Sequence, residues 1–182
     1  MSLPQPKHPG YTLEDWRTWE GRWELIDGLA YDMTPAPSPT HQRVSGRLFA
    51  KILSALDEAK SKGGSGECEV FPAPIDVFLG ENVVQPDLVV VCDPAKVTGR
   101  GIEGIPELVV EILSPSTAGK DVTRKWWLYE AAGVPEYLIV DPEEQVGRLL
   151  RLEEGRYREV AHLEWGKIIA ILGGKISISL DA

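Results

Sequence analysis

VVQPDLVVVCDP (residues 83–94) and PELVVEILSPSTAGKDVTRKWWLYEAAGVPEYLIVDP (residues 106–142) carry the reading of the fold. A single charge breaks each apolar pattern there: Asp87 at the head of LVVV, Glu111 inside LVVEIL, and Lys125 on the helix predicted between LVVEIL and EYLIV. A charge taken out of water is costly unless it is paired or binds a metal, so three of them in one compact segment call for a common cause. PELVVEIL reads as a strand with both faces covered. The helix spans about Lys120 to Ala132 and is closed by Gly133, where a left-handed cap is expected. EYLIVDP returns as a strand, and strand, helix, strand predicts a parallel crossover in an α/β (mixed α+β) fold.

Upstream, ECEVF and PIDVFL read as strands, with a Gly80-Glu81-Asn82 turn making a hairpin that runs into the core strand. DPAKVTGRGIEG is polar and glycine-bearing, which predicts a surface connection with mobility. WELIDGLAYDM is a hairpin about Asp27-Gly28 and places Glu24 on a strand. Thr12 with Asp15 predicts a capped short helix over Thr12–Glu20. Apolar spacing from Val44 to Leu56 predicts the longest helix, from about Pro39 to Lys60, ending before KGGSG. After Pro142, short β runs separated by Glu-Gly, Trp-Gly and Gly-Gly breaks predict a meander of strands. With 182 residues and 43% apolar content, one domain over residues 1–182 is expected.

The three charges each have a plain reading and a functional one. Asp87 stands at the mouth of a VVV strand, and sheet ends are where α/β proteins build sites; the plain alternative is decoration of a strand start. Pro86 lacks a ladder donor, which predicts an edge or a bulge. Glu111 sits where glutamate is disfavoured, so it is a salt-bridge partner, a strand end reaching solvent, or a metal ligand. On a helical wheel Lys125 falls mid-arc among Val122, Leu128, Tyr129 and Ala132, while Thr123, Arg124 and Glu130 face away and Trp127 lies on the polar side. Such a lysine must snorkel or meet a carboxylate; a surface pair with Asp121 is the plain reading. Two strand-borne carboxylates and a helix-borne lysine make a known chemistry. Hard oxygen ligands hold Mg²⁺, the metal activates a water and neutralises charge on a phosphate, and the ammonium orients the water. Phosphodiester hydrolysis is the matching reaction class.

Charge and composition pull the other way. A net charge of −9 and a pI near 4.9 favour solubility and oppose a broad electrostatic grip on nucleic acid. No membrane span or export signal is indicated, so a cytoplasmic location is expected. Cys68 and Cys92 lack CxxC spacing and a histidine cluster, so they read as buried thiols, neither a zinc site nor a disulfide.

The ordered blocks WELIDG, SPTHQRV, QPDLVVV, PELVVEILSPST, D-x-x-x-K-x-x-x-Y and AGVPEYLIVDP resemble the Uma2 family, a domain of unknown function within the PD-(D/E)XK restriction-endonuclease-like superfamily. The resemblance covers a core of about residues 23–142. It implies a restriction-endonuclease-like mixed sheet flanked by helices, to which the C-terminal meander is an addition, and a Mg²⁺ (or Mn²⁺) nuclease site. Asp87 matches the first acid and Glu111 the second; both are the implied metal ligands. Where the superfamily's lysine belongs this chain has Leu113, and Lys125 looks like the relocated equivalent, with Lys120 the runner-up. Glu24 and Asp76 are candidate auxiliary acids, and His41 is a candidate base or a capping and packing residue. Gln85, Ser114, Tyr129 and Asp141 read as supporting residues, and the helix amides after SPST as a phosphate cradle. The implied function is a Mg²⁺-dependent DNA endonuclease, expected as a homodimer because two strands must be cut. The alternatives are a non-catalytic binding protein on the same fold and hydrolysis of a smaller phosphate ester.

Overall fold

The computed structural model describes residues 10–33, 36–63, 67–114 and 121–180. A short helix α1 (Leu13–Trp16) leads into β1 (Trp23–Ile26) and β2 (Leu29–Asp32), followed by α2 (Pro39–Ser61) and then β3 (Glu69–Pro72), β4 (Val77–Leu79), β5 (Asn82–Val84) and β6 (Leu88–Val91). A 3-10 turn at Pro94–Lys96 precedes β7 (Val97–Thr98) and β8 (Gly101–Glu103). The crossover is β9 (Leu108–Ile112), α3 (Asp121–Ala132) and β10 (Glu136–Asp141), and β11 (Val146–Glu153), β12 (Arg156–Glu164), β13 (Lys167–Ile171) and β14 (Ile176–Leu180) follow.

Local chemistry sets these boundaries. Thr12 and Asp15 form a complete capping box, although α1 stops at Trp16, short of Glu20. Asp27 and Gly28 both take positive φ, 51° and 73°, the pair of values a two-residue hairpin turn requires. The Ser38 hydroxyl accepts the His41 N–H and Pro39 occupies the first helical position, so α2 begins at the proline and ends one residue past Lys60. At the end of α3, Gly133 at φ 86° lets its own N–H and that of Val134 reach the Tyr129 carbonyl.

The main sheet has the order β12-β11-β10-β9-β6-β3, with β9 and β10 parallel and the other pairs antiparallel. Alternation along β9 sends Leu108, Val110 and Ile112 into one core, beneath Val44, Leu48 and Ile52 of α2 and the β13–β14 hairpin. Val109 and Glu111 take the other face, where Leu128 and Tyr129 of α3 pack. A second six-stranded sheet, β2-β1-β5-β4-β8-β7, shares that second core through Ile26, Val77, Val84 and Ile102. The result is the expected mixed α+β architecture, with one face of the main sheet covered partly by a sheet as well as by a helix. The hairpin is seated closely. Leu180 fills the space where a side chain on Gly147 would lie, and the buried Glu136 accepts the N–H groups of Leu172 and Gly173 at 2.6 and 2.9 Å.

Four local readings change. First, β6 is interior, between β9 and β3; Pro86 precedes it, so the missing donor falls outside the ladder, and the Asp87 carbonyl accepts the Ala73 N–H at 2.9 Å. Next, the connection after Asp93 is built structure: β7 and β8 join the second sheet and Ile102 is fully buried. Gly101, at φ 136°, sits where a Cβ would collide with the Asp76 carbonyl. Cys68 and Cys92 are joined in a disulfide, because pairing of Glu69 with Val91 sets the cysteines opposite each other. Finally, Glu130 is buried and accepts the Tyr157 N–H at 2.7 Å and Arg156 at 2.8 Å, since β12 covers that side of α3. Trp127 is exposed, as read. Among the described residues no helix is long and apolar enough to cross a membrane.

Candidate active site

β6 and β9 pair with Leu88 opposite Val110, so the next step outward sets Asp87 opposite Glu111, both on the α3 face. Asp87 Oδ2 accepts the Ile112 N–H at 2.8 Å and lies 3.1 Å from His41 Nε2. Facing a carboxylate, which only accepts, Nε2 acts as the donor. His41 arrives on the first turn of α2, from the opposite face, and its Nδ1 is buried without a partner among the described residues.

From α3, Lys125 Nζ reaches Glu24 Oε1 at 2.9 Å and Glu111 Oε1 at 3.0 Å. One turn on, the Tyr129 hydroxyl donates to the same Glu111 oxygen at 2.7 Å. Glu24, on β1, also accepts the Gln85 N–H at 2.8 Å. The Gln85 side chain continues the network: its Oε1 accepts Arg22 Nε at 3.0 Å, and its Nε2 donates to Asp76 Oδ1 at 2.8 Å. Arg124 lies over the Tyr31 ring, 4.3 Å from its centroid.

One ammonium therefore serves two carboxylates. Burial works against the charge of Lys125, but Glu111 and Glu24 outweigh it and raise its pKa, so the lysine stays protonated. Burial pushes the Glu111 carboxyl up to about 7; Lys125 opposes this, while the charges of Asp87 and Glu24 add to it. The hydrogen bond to Asp87 raises His41 against the effect of its burial. Burial, then the charges of Glu111 and Glu24, raise Tyr129, which keeps its hydroxyl a donor. The cluster carries more negative charge than its lysine can balance.

Asp87, Glu111 and Lys125 thus stand together, with the candidate auxiliaries Glu24 and His41 in contact with Lys125 and Asp87. Asp76 is one step removed, joined to the cluster through Gln85. Asp141 accepts the N–H groups of Glu143 and Glu144 and shapes the turn after β10. Lys120 and the amides after Ser114 lie outside the described residues, and so do the side chains of Asp121 and Val122. Sequence reasoning missed Arg22. Its signal was strand alternation, two positions before Glu24 and hence on the same face.

The donor set can be tested against a divalent cation. Asp87 Oδ1 and Glu111 Oε2 accept no hydrogen bond among the described residues. Among the described residues no group of three or more His, Cys, Asp or Glu side chains is arranged to hold a metal ion. Two hard carboxylates facing each other across β6 and β9, with Glu24 adding negative charge beside them, fit Mg²⁺, which commonly uses one or two carboxylates and completes its shell with water and substrate phosphate.

Residues 11–180 match the model of a family described as "Putative restriction endonuclease". The chain belongs to the Uma2 family. An uncharacterized protein of Synechocystis sp. is 31% identical to this Uma2 chain over 144 residues, covering 75% of it and 72% of that protein. The crystal structure of a "putative nuclease belonging to DUF820" from Anabaena variabilis superposes with a TM-score of 0.72 at 18% identity, over 93% of this chain and 94% of the other. That likeness is one of fold. Uma2 membership supports a nuclease function.

Proposed function

We propose that the protein is a Mg²⁺- or Mn²⁺-dependent endonuclease that hydrolyses phosphodiester bonds of DNA, with a PD-(D/E)XK-type site in which Lys125 replaces the usual lysine. One observation carries this reading: the Lys125 ammonium bridges Glu24 and Glu111 at the sheet end where Asp87 stands opposite Glu111. Asp87 and Glu111 would hold the cation. When bound, the cation neutralises phosphate charge and lowers the pKa of a water. The chain's own groups do the positioning. The Ile112 N–H and His41 fix Asp87, and Tyr129 fixes Glu111. Two ammonium hydrogens of Lys125 go to Glu24 and Glu111, which leaves the third for the attacking water or a phosphate oxygen. The proposed enzyme acts as a homodimer that cuts both strands, and the exposed Trp127 is a candidate contact.

The test is cleavage of plasmid DNA with Mg²⁺ or Mn²⁺ by the parent protein and by Asp87→Asn, Glu111→Gln and Lys125→Met. We expect metal-dependent cleavage, reduced at least about a hundredfold in each variant. Cleavage that persists in all three rejects the assignment. A second reading, a non-catalytic binding protein, draws on the lack of a three-ligand group among the described residues. Calorimetry with Mn²⁺ separates the two, since that reading predicts no heat of binding.

A further inference from the structure

Arg43 and Arg47 are the described arginines that the molecule leaves unused. Arg100, Arg148, Arg151, Arg156 and Arg158 each face a carboxylate. Arg22 and Arg124 lie against Gln85 and Tyr31, and Arg17 adds its charge at Glu103. Arg43 and Arg47 are exposed one turn apart on α2 and have no ion pair or hydrogen bond among the described residues. In a chain with 28 acidic and 19 basic residues, positions 39–56 contain no Asp or Glu. The first turn of α2 lacks the acids a helix N-terminus ordinarily favours. This positive strip lies on the exposed side of α2, across the helix from the buried His41, which touches Asp87.

Gly46 supplies an independent observation. It lies in mid-helix, exposed, between Arg43 and Arg47 in sequence, and a Cβ placed on it would meet nothing within 4 Å. Neither left-handed φ nor internal packing explains a residue that weakens a helix. Close approach of another body to this face would give the missing side chain a reason.

We infer that the exposed face of the N-terminal half of α2, around Arg43, Gly46 and Arg47, seats the phosphodiester backbone of a DNA duplex that presents a more distant phosphate to the Asp87–Glu111 site. The inference rests on the nuclease reading above. Charge complementarity selects the partner: two free guanidiniums suit phosphate oxygens bidentately, and the missing Cβ lets a backbone come close. A local basic strip also resolves the conflict between a net charge of −9 and a polyanionic partner, because phosphate contacts are made locally.

The experiment is fluorescence anisotropy of a labelled duplex of about 20 base pairs, in Ca²⁺ to hold turnover, over roughly 50–200 mM NaCl. It compares the full chain with Arg43→Ala/Arg47→Ala, Arg43→Lys/Arg47→Lys and Gly46→Trp. Losing two phosphate contacts should weaken binding by about tenfold or more and flatten the log K against log salt slope by about 1.8. The lysine pair should restore most of the slope, and Gly46→Trp should weaken binding without lowering the melting temperature. Unchanged affinity and slope in the alanine pair overturn the inference, as does a parent protein that binds no duplex. Unchanged DNA affinity with a switch from dimer to monomer by light scattering also overturns it and assigns the face to a second copy. Metal-dependent hydrolysis of bis(4-nitrophenyl) phosphate is followed in parallel. Hydrolysis without arginine-dependent binding sinks this inference and spares the nuclease reading; arginine-dependent binding without hydrolysis removes the nuclease reading, and with it the phosphate at Asp87–Glu111, and leaves only the DNA-seating face.

Discussion

Lys125 and Glu130 are five positions apart on one helix, and both are buried charges with different fates. Lys125 faces two carboxylates across a desolvated gap. Replacing it with methionine leaves Glu24 and Glu111 facing each other without a cation, which should cost about 3–5 kcal/mol in urea unfolding. A loss below about 1 kcal/mol would show that water already screens the cluster. The hydrogen bond from the Tyr157 backbone holds the Glu130 carboxyl below its ordinary value; burial opposes this and Arg156 assists. A depressed folded-state pKa gives stability that is present above the unfolded value of 4.5 and is lost as pH falls through the folded value. Glu130→Gln should therefore cost about 1–3 kcal/mol near neutral pH. The difference from the parent protein should shrink steadily on titration below 4.5. A difference that stays constant with pH would mean that packing, not charge, is what the substitution removes.

At the scale of elements, the disulfide ties the entry of β3 to the exit of β6, the strand that Asp87 precedes. With a sequence separation of 24, loop-closure entropy assigns the link about 3 kcal/mol. For a chain of this size that is roughly 6–12 °C of melting temperature, read by calorimetry with and without dithiothreitol. No shift on full reduction would show that the strand pair holds without the link. The sequence could not show this bond because nothing in it states which residue of β3 lies opposite Cys92. Features set within a few residues were readable: the Asp27-Gly28 turn, the Pro39 start of α2 and the Gly133 cap. Asp87, Glu111 and Lys125 were readable because each is a charge in an apolar pattern. The contact of Arg22 with Gln85 spans 63 positions, and the burial of Glu130 depends on β12; a wheel drawn for one helix contains neither. The splitting of the strands into two sheets was equally hidden, because β5 and β6 are separated by only Gln85, Pro86 and Asp87 yet pair in different sheets.

At the scale of the molecule, one face of the main sheet is completed later along the chain than the other. Asp87, Glu111, Lys125, Glu24 and His41 all precede Gly133, whereas the opposite core needs Ile169, Ile171, Ile176, Ile178 and Leu180 from the last hairpin. A chain emerges from the ribosome N-terminus first, and domains fold as their residues appear. The groups of the candidate site are therefore synthesised while Leu108, Val110, Leu138 and Val140 still lack the hairpin that closes over them. Glu136 waits through the same interval with its backbone donors at Leu172 and Gly173 not yet made. A nascent chain arrested before Lys167 should bind a hydrophobic dye that the full chain excludes, and it should be a client for chaperones that recognise bare apolar sheet.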